Sequence, residues 1–182
     1  QQRLTLNTLV QGAWALLLSR YSGEADVVFG ATTSGQPAAM PGVESMIGLF
    51  LNSLPLRAQV DPANDLLQWL HTLQTQQLEV RQYEYASLVE IQGWSDVPRG
   101  TPMFESLLAF ENYPERETMW TSTESIHIRE VEGFDRTNFP LTVNVAVFDE
   151  MHLRLVYAQE HFDAATMGRL VEHFMALLTG IA

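Results

Sequence analysis

The chain has 182 residues, 46% apolar and 18% charged, which suits one globular domain with a sizeable core, or one large half of a two-part domain, rather than a disordered chain. Twenty-two acidic residues against ten basic ones, all ten of them arginine, give a net charge of −12 that repels nucleic acid, and no basic stripe overrules that average. The absence of cysteine excludes disulfides and thiolate chemistry and favours a cytoplasmic setting, while no apolar run reaches the ~18 residues of a membrane span.

The chain opens at Gln1 without a start methionine or a signal-like segment, and is expected to be a piece of something longer. Leu6, Leu9, Val10, Ala13, Leu17 and Tyr21 recur at helical spacing between a Thr5 cap and Ser22-Gly23, predicting a core-packing helix. Asp26 to Thr32 sets β-branched and aromatic residues between turn formers and predicts a buried strand. From Thr33 to Met46, Ser34-Gly35-Gln36-Pro37 and Met40-Pro41-Gly42-Val43-Glu44 are too rich in glycine and proline for a regular element. Gly30 and Gly35 have phosphate-loop spacing, but Gln36-Pro37 stands where lysine and serine or threonine are required, so that reading is rejected.

Ile47-Gly48-Leu49-Phe50-Leu51-Asn52-Ser53-Leu54-Pro55-Leu56-Arg57 reads as an entry loop running into an apolar strand that extends to Val60. An amide is costly to bury without partners, so Asn52 is either tied up by backbone groups or faces a wet cavity. Asp61-Pro62 then opens a helix with Leu66, Leu67, Leu70, Leu73 and Leu78 as its buried stripe and Gln74, Gln76, Gln77 and Glu79 toward water; Trp69 and His71 flank the stripe as packing or surface residues. Tyr83-Glu84-Tyr85 and Leu88 to Trp94 predict a short second helix, and Ser95 to Pro102 a connector.

Four strand-like runs follow: Phe104 to Glu111, Ser125 to Val131, Phe139 to Phe148 and His152 to Gln159. In the third, Phe139, Leu141, Val143, Val145 and Val147 alternate with Thr142, Asn144 and Ala146, and Asp149-Glu150 joins it to the fourth as an antiparallel hairpin. Arg116 to Glu124 is expected to be a surface loop. Asp163 caps a last helix whose Met167, Leu170, Val171, Phe174, Leu177, Leu178 and Ile181 share one stripe. The five histidines (71, 127, 152, 161 and 173) show no metal spacing, and neither a nucleophile elbow nor a Rossmann glycine run occurs, so no catalytic or metal residue is assigned.

Gly48-x-Phe50-x-Asn52-Ser53 ending in Arg57 resembles a signature of nonribosomal peptide synthetase condensation domains, with Ser53 for the usual threonine. Similarity extends to the Ser34-Gly35-Gln36-Pro37 loop, where Gln36 replaces a common arginine, to Pro41-Gly42-Val43-Glu44, and to Thr101 to Glu105 and Phe110 to Pro114, in one order along nearly the whole chain. The resemblance implies that residues 1–182 are a single carboxy-terminal condensation subdomain, an α/β two-layer sandwich related to chloramphenicol acetyltransferase. Helices starting near Thr5, Asp61 and Asp163 would pack on one face of a mixed sheet. It implies an amino-terminal half as partner, carrying a His-His-x-x-x-Asp-Gly motif that this chain lacks, so the chain alone is expected to form no peptide bond. It further implies donor and acceptor peptidyl carrier proteins whose phosphopantetheine arms meet in a tunnel, with Ser34, Gly35, Gly48 and Asn52 on one wall and no cofactor held directly. Nucleic acid and membrane are not expected partners, and the face left open predicts an apolar patch and self-association. The competing readings are a non-catalytic scaffold that reuses half the fold, and half of an epimerisation or cyclisation domain.

Overall fold

The computed structural model describes residues 3–33, 42, 45–48, 50–111 and 137–181. Five strands, β1 (Asp26–Thr33), β2 (Asn52–Gln59), β3 (Ser106–Glu111), β4 (Leu141–Val147) and β5 (Met151–Tyr157), form one sheet in the order β2-β1-β3-β4-β5. β1 runs parallel to β3, and β3 to β4, while β2 and β5 close the two edges antiparallel, so the sheet is mixed as expected. The expected run Ser125 to Val131 lies outside the described residues.

Helices α1 (Leu6–Ser22), α2 (Leu66–Val80) and α4 (Ala164–Ile181) share one core with Phe29, Leu56, Leu108, Val143 and Val145, alternate residues on one face of the sheet. The seven expected apolar residues of α4 are all buried or half-buried, and the Asp163 carboxylate accepts from the Thr166 N–H at 2.9 Å. α1 departs from a one-sided stripe. Its ends, Leu6 and Tyr21, are exposed, while Thr8, Gln11, Gly12 and Ala15 are buried beside Val10, Ala13 and Trp14. The cause is that α1 lies between its neighbours. Leu70 of α2 packs against Gly12, and Phe174 of α4 meets Trp14 edge-on at 5.5 Å between ring centroids.

α2 starts four residues later than the Asp61-Pro62 pair suggests. The Asp61 carboxylate closes a turn by accepting from the Ala63 N–H (2.9 Å), and Asp65 caps the helix through the Gln68 N–H (3.0 Å). Only Leu70, Leu73 and Gln74 of α2 are buried; Leu66, Leu67 and Leu78 are exposed because the helix crosses the core at its middle. The expected second helix divides into a 3₁₀ turn, Arg81–Tyr83, and α3 (Leu88–Trp94), which opens on a reciprocal Ser87–Glu90 capping box.

The opposite face of the sheet has its own cover. Gly30 lies under the Phe104 ring, which stacks on Phe139 at 5.1 Å. Thr142 is buried there with its hydroxyl 2.7 Å from that of Thr137. The β2 edge is partly closed by side chains. Asn52 Oδ1 takes the Ser53 N–H, Pro55 has no N–H, and Gln76 Nε2 and Trp69 Nε1 donate to the carbonyls of Arg57 (2.8 Å) and Gln59 (2.7 Å). No helix among the described residues is long and apolar enough to cross a membrane.

Candidate functional site

The parallel strands β1, β3 and β4 end on the same side of the sheet, and there they meet the first turn of α1 and the last turn of α2 around a cavity of about 650 Å³. Ligand sites of open α/β sheets gather at such carboxy-terminal strand ends. Ala31, Thr32 and Thr33 of β1, Phe110 of β3 and Val147 of β4 contribute to its walls, with Leu54 and Leu56 of the neighbouring β2 beside them.

The helical wall is polar. Gln77 Nε2 donates to Gln11 Oε1 (2.6 Å) and Gln11 Nε2 to Asn7 Oδ1 (3.0 Å), while the Thr8 hydroxyl sits 2.9 Å from Gln77 Oε1 and 3.1 Å from Gln74 Oε1. Gln74 Oε1 also accepts the Thr5 N–H at 2.8 Å. This run of amides lets glutamines expected in water sit between α1 and α2, each polar group answered by another.

Two ionisable side chains line the cavity among the described residues, Arg81 and Glu84. Glu84 is 9% exposed, and its nearest cation among the described residues is Arg81 Nε at 4.0 Å, beyond hydrogen-bond length, on a side chain that is itself largely exposed. Burial therefore raises the Glu84 carboxyl above its ordinary value, and the Arg81 charge opposes this only in part.

Asn52 holds the turn that carries Glu84. Its Nδ2 donates to the carbonyls of Glu84 and Ala86, both at 2.8 Å, and its Oδ1 accepts the Ser53 N–H at 2.9 Å. Of the two environments open to this amide, backbone pairing is present; Asn52 does not line the cavity but bonds to Glu84, which does. Gly48 is exposed in the loop before β2. Ser34 and Gly35 lie outside the described residues, as does His127. Leu51, Tyr83 and Tyr85, which flank the tied turn, are exposed apolar residues. Arg57, at the far end of β2, forks onto Asp26 (Nε to Oδ1 2.9 Å) and holds that carboxyl below the usual range. No group of three or more metal-ligating side chains occurs among the described residues. Sequence reasoning missed Glu84, Arg81 and Gln77 as wall residues; an acid set between Tyr83 and Tyr85 was the available signal for the first.

Over residues 1–182 the chain matches the family described as Condensation domain. It is 51% identical over 182 residues to one of the polypeptides of linear gramicidin synthase from Brevibacillus parabrevis, covering 100% of this chain and 4% of that protein. It is 34% identical over 182 residues to surfactin synthase subunit 3 of Bacillus subtilis (strain 168), covering 99% and 14%. Among solved structures, the X-domain from teicoplanin biosynthesis superposes with a TM-score of 0.75 at 24% identity, over 97% of this chain and 41% of that one. The chain thus spans a small part of its curated relatives and about two fifths of the solved one. The chain belongs to the condensation-domain family and is homologous to the condensation domains of nonribosomal peptide synthetases.

Proposed function

We propose that this chain is the carboxy-terminal half of a condensation domain and forms one wall of a tunnel in which two carrier-bound thioesters are joined by a peptide bond. The observation that carries the reading is coverage: the family match takes in all 182 residues, yet these equal 41% of a solved relative's chain. The chain contains no His-His-x-x-x-Asp-Gly, so the base that would orient or deprotonate the acceptor amine has to come from the remaining part of the domain. Ser34, Gly35 and Gly48, which follow β1 in the sequence, and Asn52, the first residue of β2, are the proposed wall. The phosphopantetheine arms of donor and acceptor carrier proteins are the groups it would face. Exposed Leu51, Tyr83 and Tyr85 are consistent with an apolar face that the other half covers.

The test mixes the chain with donor- and acceptor-loaded carrier proteins, then repeats the mixture with the separately expressed amino-terminal half. Product only in the second mixture is expected. Product from the chain alone would overturn the half-domain account, and none from either would favour the scaffold reading, which the missing histidines and the charge of −12 also suit.

A further inference from the structure

We propose that the cavity at the carboxy-terminal ends of β1, β3 and β4 is a binding site for a primary ammonium group, with the Glu84 carboxylate as its counter-charge. A carboxylate drawn largely out of bulk water favours a neighbour that carries positive charge and donates hydrogen bonds. Glu84 is nine-tenths buried, and Arg81, the other ionisable residue of the lining among the described residues, stands at 4.0 Å without a hydrogen bond. The neighbouring amides do not relieve it. Gln77 and Gln11 spend their groups on each other, on Thr8 and on Asn7.

An incoming group must therefore donate hydrogen bonds and carry positive charge, and the setting discriminates in that direction. The carboxy-terminal end of α2, which forms part of the wall through Gln77 and Val80, turns the negative end of its dipole there, and its C-cap residue Arg81 answers it only with a largely exposed side chain. An anion would meet Glu84 inside and a net charge of −12 outside. Apolar Leu54, Leu56, Phe110 and Val147 suit the methylenes behind an ammonium head, and about 650 Å³ is ample for a short amine. Asn52 is then a positioning residue: by holding the carbonyls of Glu84 and Ala86 it fixes where the carboxylate points. The inference goes beyond the peptide-bond assignment and stands or falls separately from it.

The test is calorimetric titration of the 182-residue chain with n-butylammonium, alaninamide, n-butanol and butanoate, each followed by two-dimensional NMR. Roughly millimolar affinity is what so small a ligand can reach. Butylammonium is expected to bind at least about tenfold more tightly than butanol, and butanoate not at all. Glu84→Gln should lose that roughly tenfold preference, and Arg81→Gln, which removes the competing cation, should strengthen it. Binding should weaken as pH falls through the raised Glu84 titration. Alaninamide binding as well as butylammonium marks an α-ammonium site; butylammonium alone marks a side-chain ammonium. Equal binding of butanol and butylammonium, or an unchanged Glu84→Gln, overturns the proposal, as does the absence of binding by both amines; none of these results bears on the carrier-protein assay.

Discussion

Replacing Asn52 by alanine removes three hydrogen bonds at once: two from Nδ2 to the carbonyls of Glu84 and Ala86, and one to Oδ1 from the Ser53 N–H. At about 0.5–1.5 kcal/mol net for each bond, the loss is about 2–4 kcal/mol. For a domain of this length that corresponds to a fall in Tm of roughly 5–15 °C. The loss should be local in origin, so amide exchange at Ser53 and across Arg81 to Ala86 should accelerate before exchange in β4 does. Asn52→Asp is the sharper comparison. It keeps an acceptor for the Ser53 N–H but turns a carboxylate toward two carbonyls and the buried Glu84, so it should be at least as damaging as alanine. Thermal melts with hydrogen exchange on both variants decide the matter. A shift below about 2 °C in either variant, or unchanged protection of the Glu84 turn, would show that the amide is not what ties β2 to that turn.

Gly30→Ala places a methyl group into the Phe104 ring and 2.9 Å from Leu107 Cδ1, and should cost about 1–3 kcal/mol, with Phe104→Leu in the same chain recovering part of it. A Gly30→Ala variant that melts with the wild type would refute the close packing. Glu84 gives a pH effect of defined sign. Its proton is held more tightly in the folded state, so its contribution favours folding below the unfolded value near 4.5 and is lost as pH rises through the raised folded value. Glu84→Gln should flatten that slope and melt higher than wild type at pH 7; parallel Tm-against-pH curves for the two proteins would contradict this. Trp69→Phe combined with Gln76→Ala frees the carbonyls of Gln59 and Arg57 on the β2 edge and should raise concentration-dependent association in sedimentation. No change relative to wild type would mean that the edge is protected by something else.

The elements legible in the sequence are those whose pattern is local. In α4 the stripe from Met167 to Ile181 has the helical period, and in β4 and β5 the alternation and the Asp149-Glu150 connection yield the Val147–Met151 hairpin end. The start of α2 reads too early in the sequence because Asp61-Pro62 has the look of a helix opening; Asp61 instead closes its own turn with Ala63, and Asp65 caps the helix. The site was harder to read because its residues are justified by distant partners. Thr8 and Gln11 look like surface positions until Gln74 and Gln77, some 66 positions on, are packed beside them. Asn52 could be marked as unusual, but its partners lie 32 and 34 residues away, and nothing in the local pattern around Glu84 says that α1 and α2 will enclose it.

The order in which the ribosome releases this chain is awkward for its sheet. β1 gains its first neighbour, β2, soon after synthesis, but the neighbour on its other side is β3, whose first residue is Ser106. At about 5–20 residues per second, β1 waits on the order of ten seconds with one edge unpaired. Trp14 waits longer still, since the ring that covers it belongs to Phe174 in the last helix. α1 therefore keeps an uncovered aromatic ring until α4 has left the ribosome, and a nascent chain arrested within α4 should be more chaperone-bound than one extended far enough for α4 to emerge.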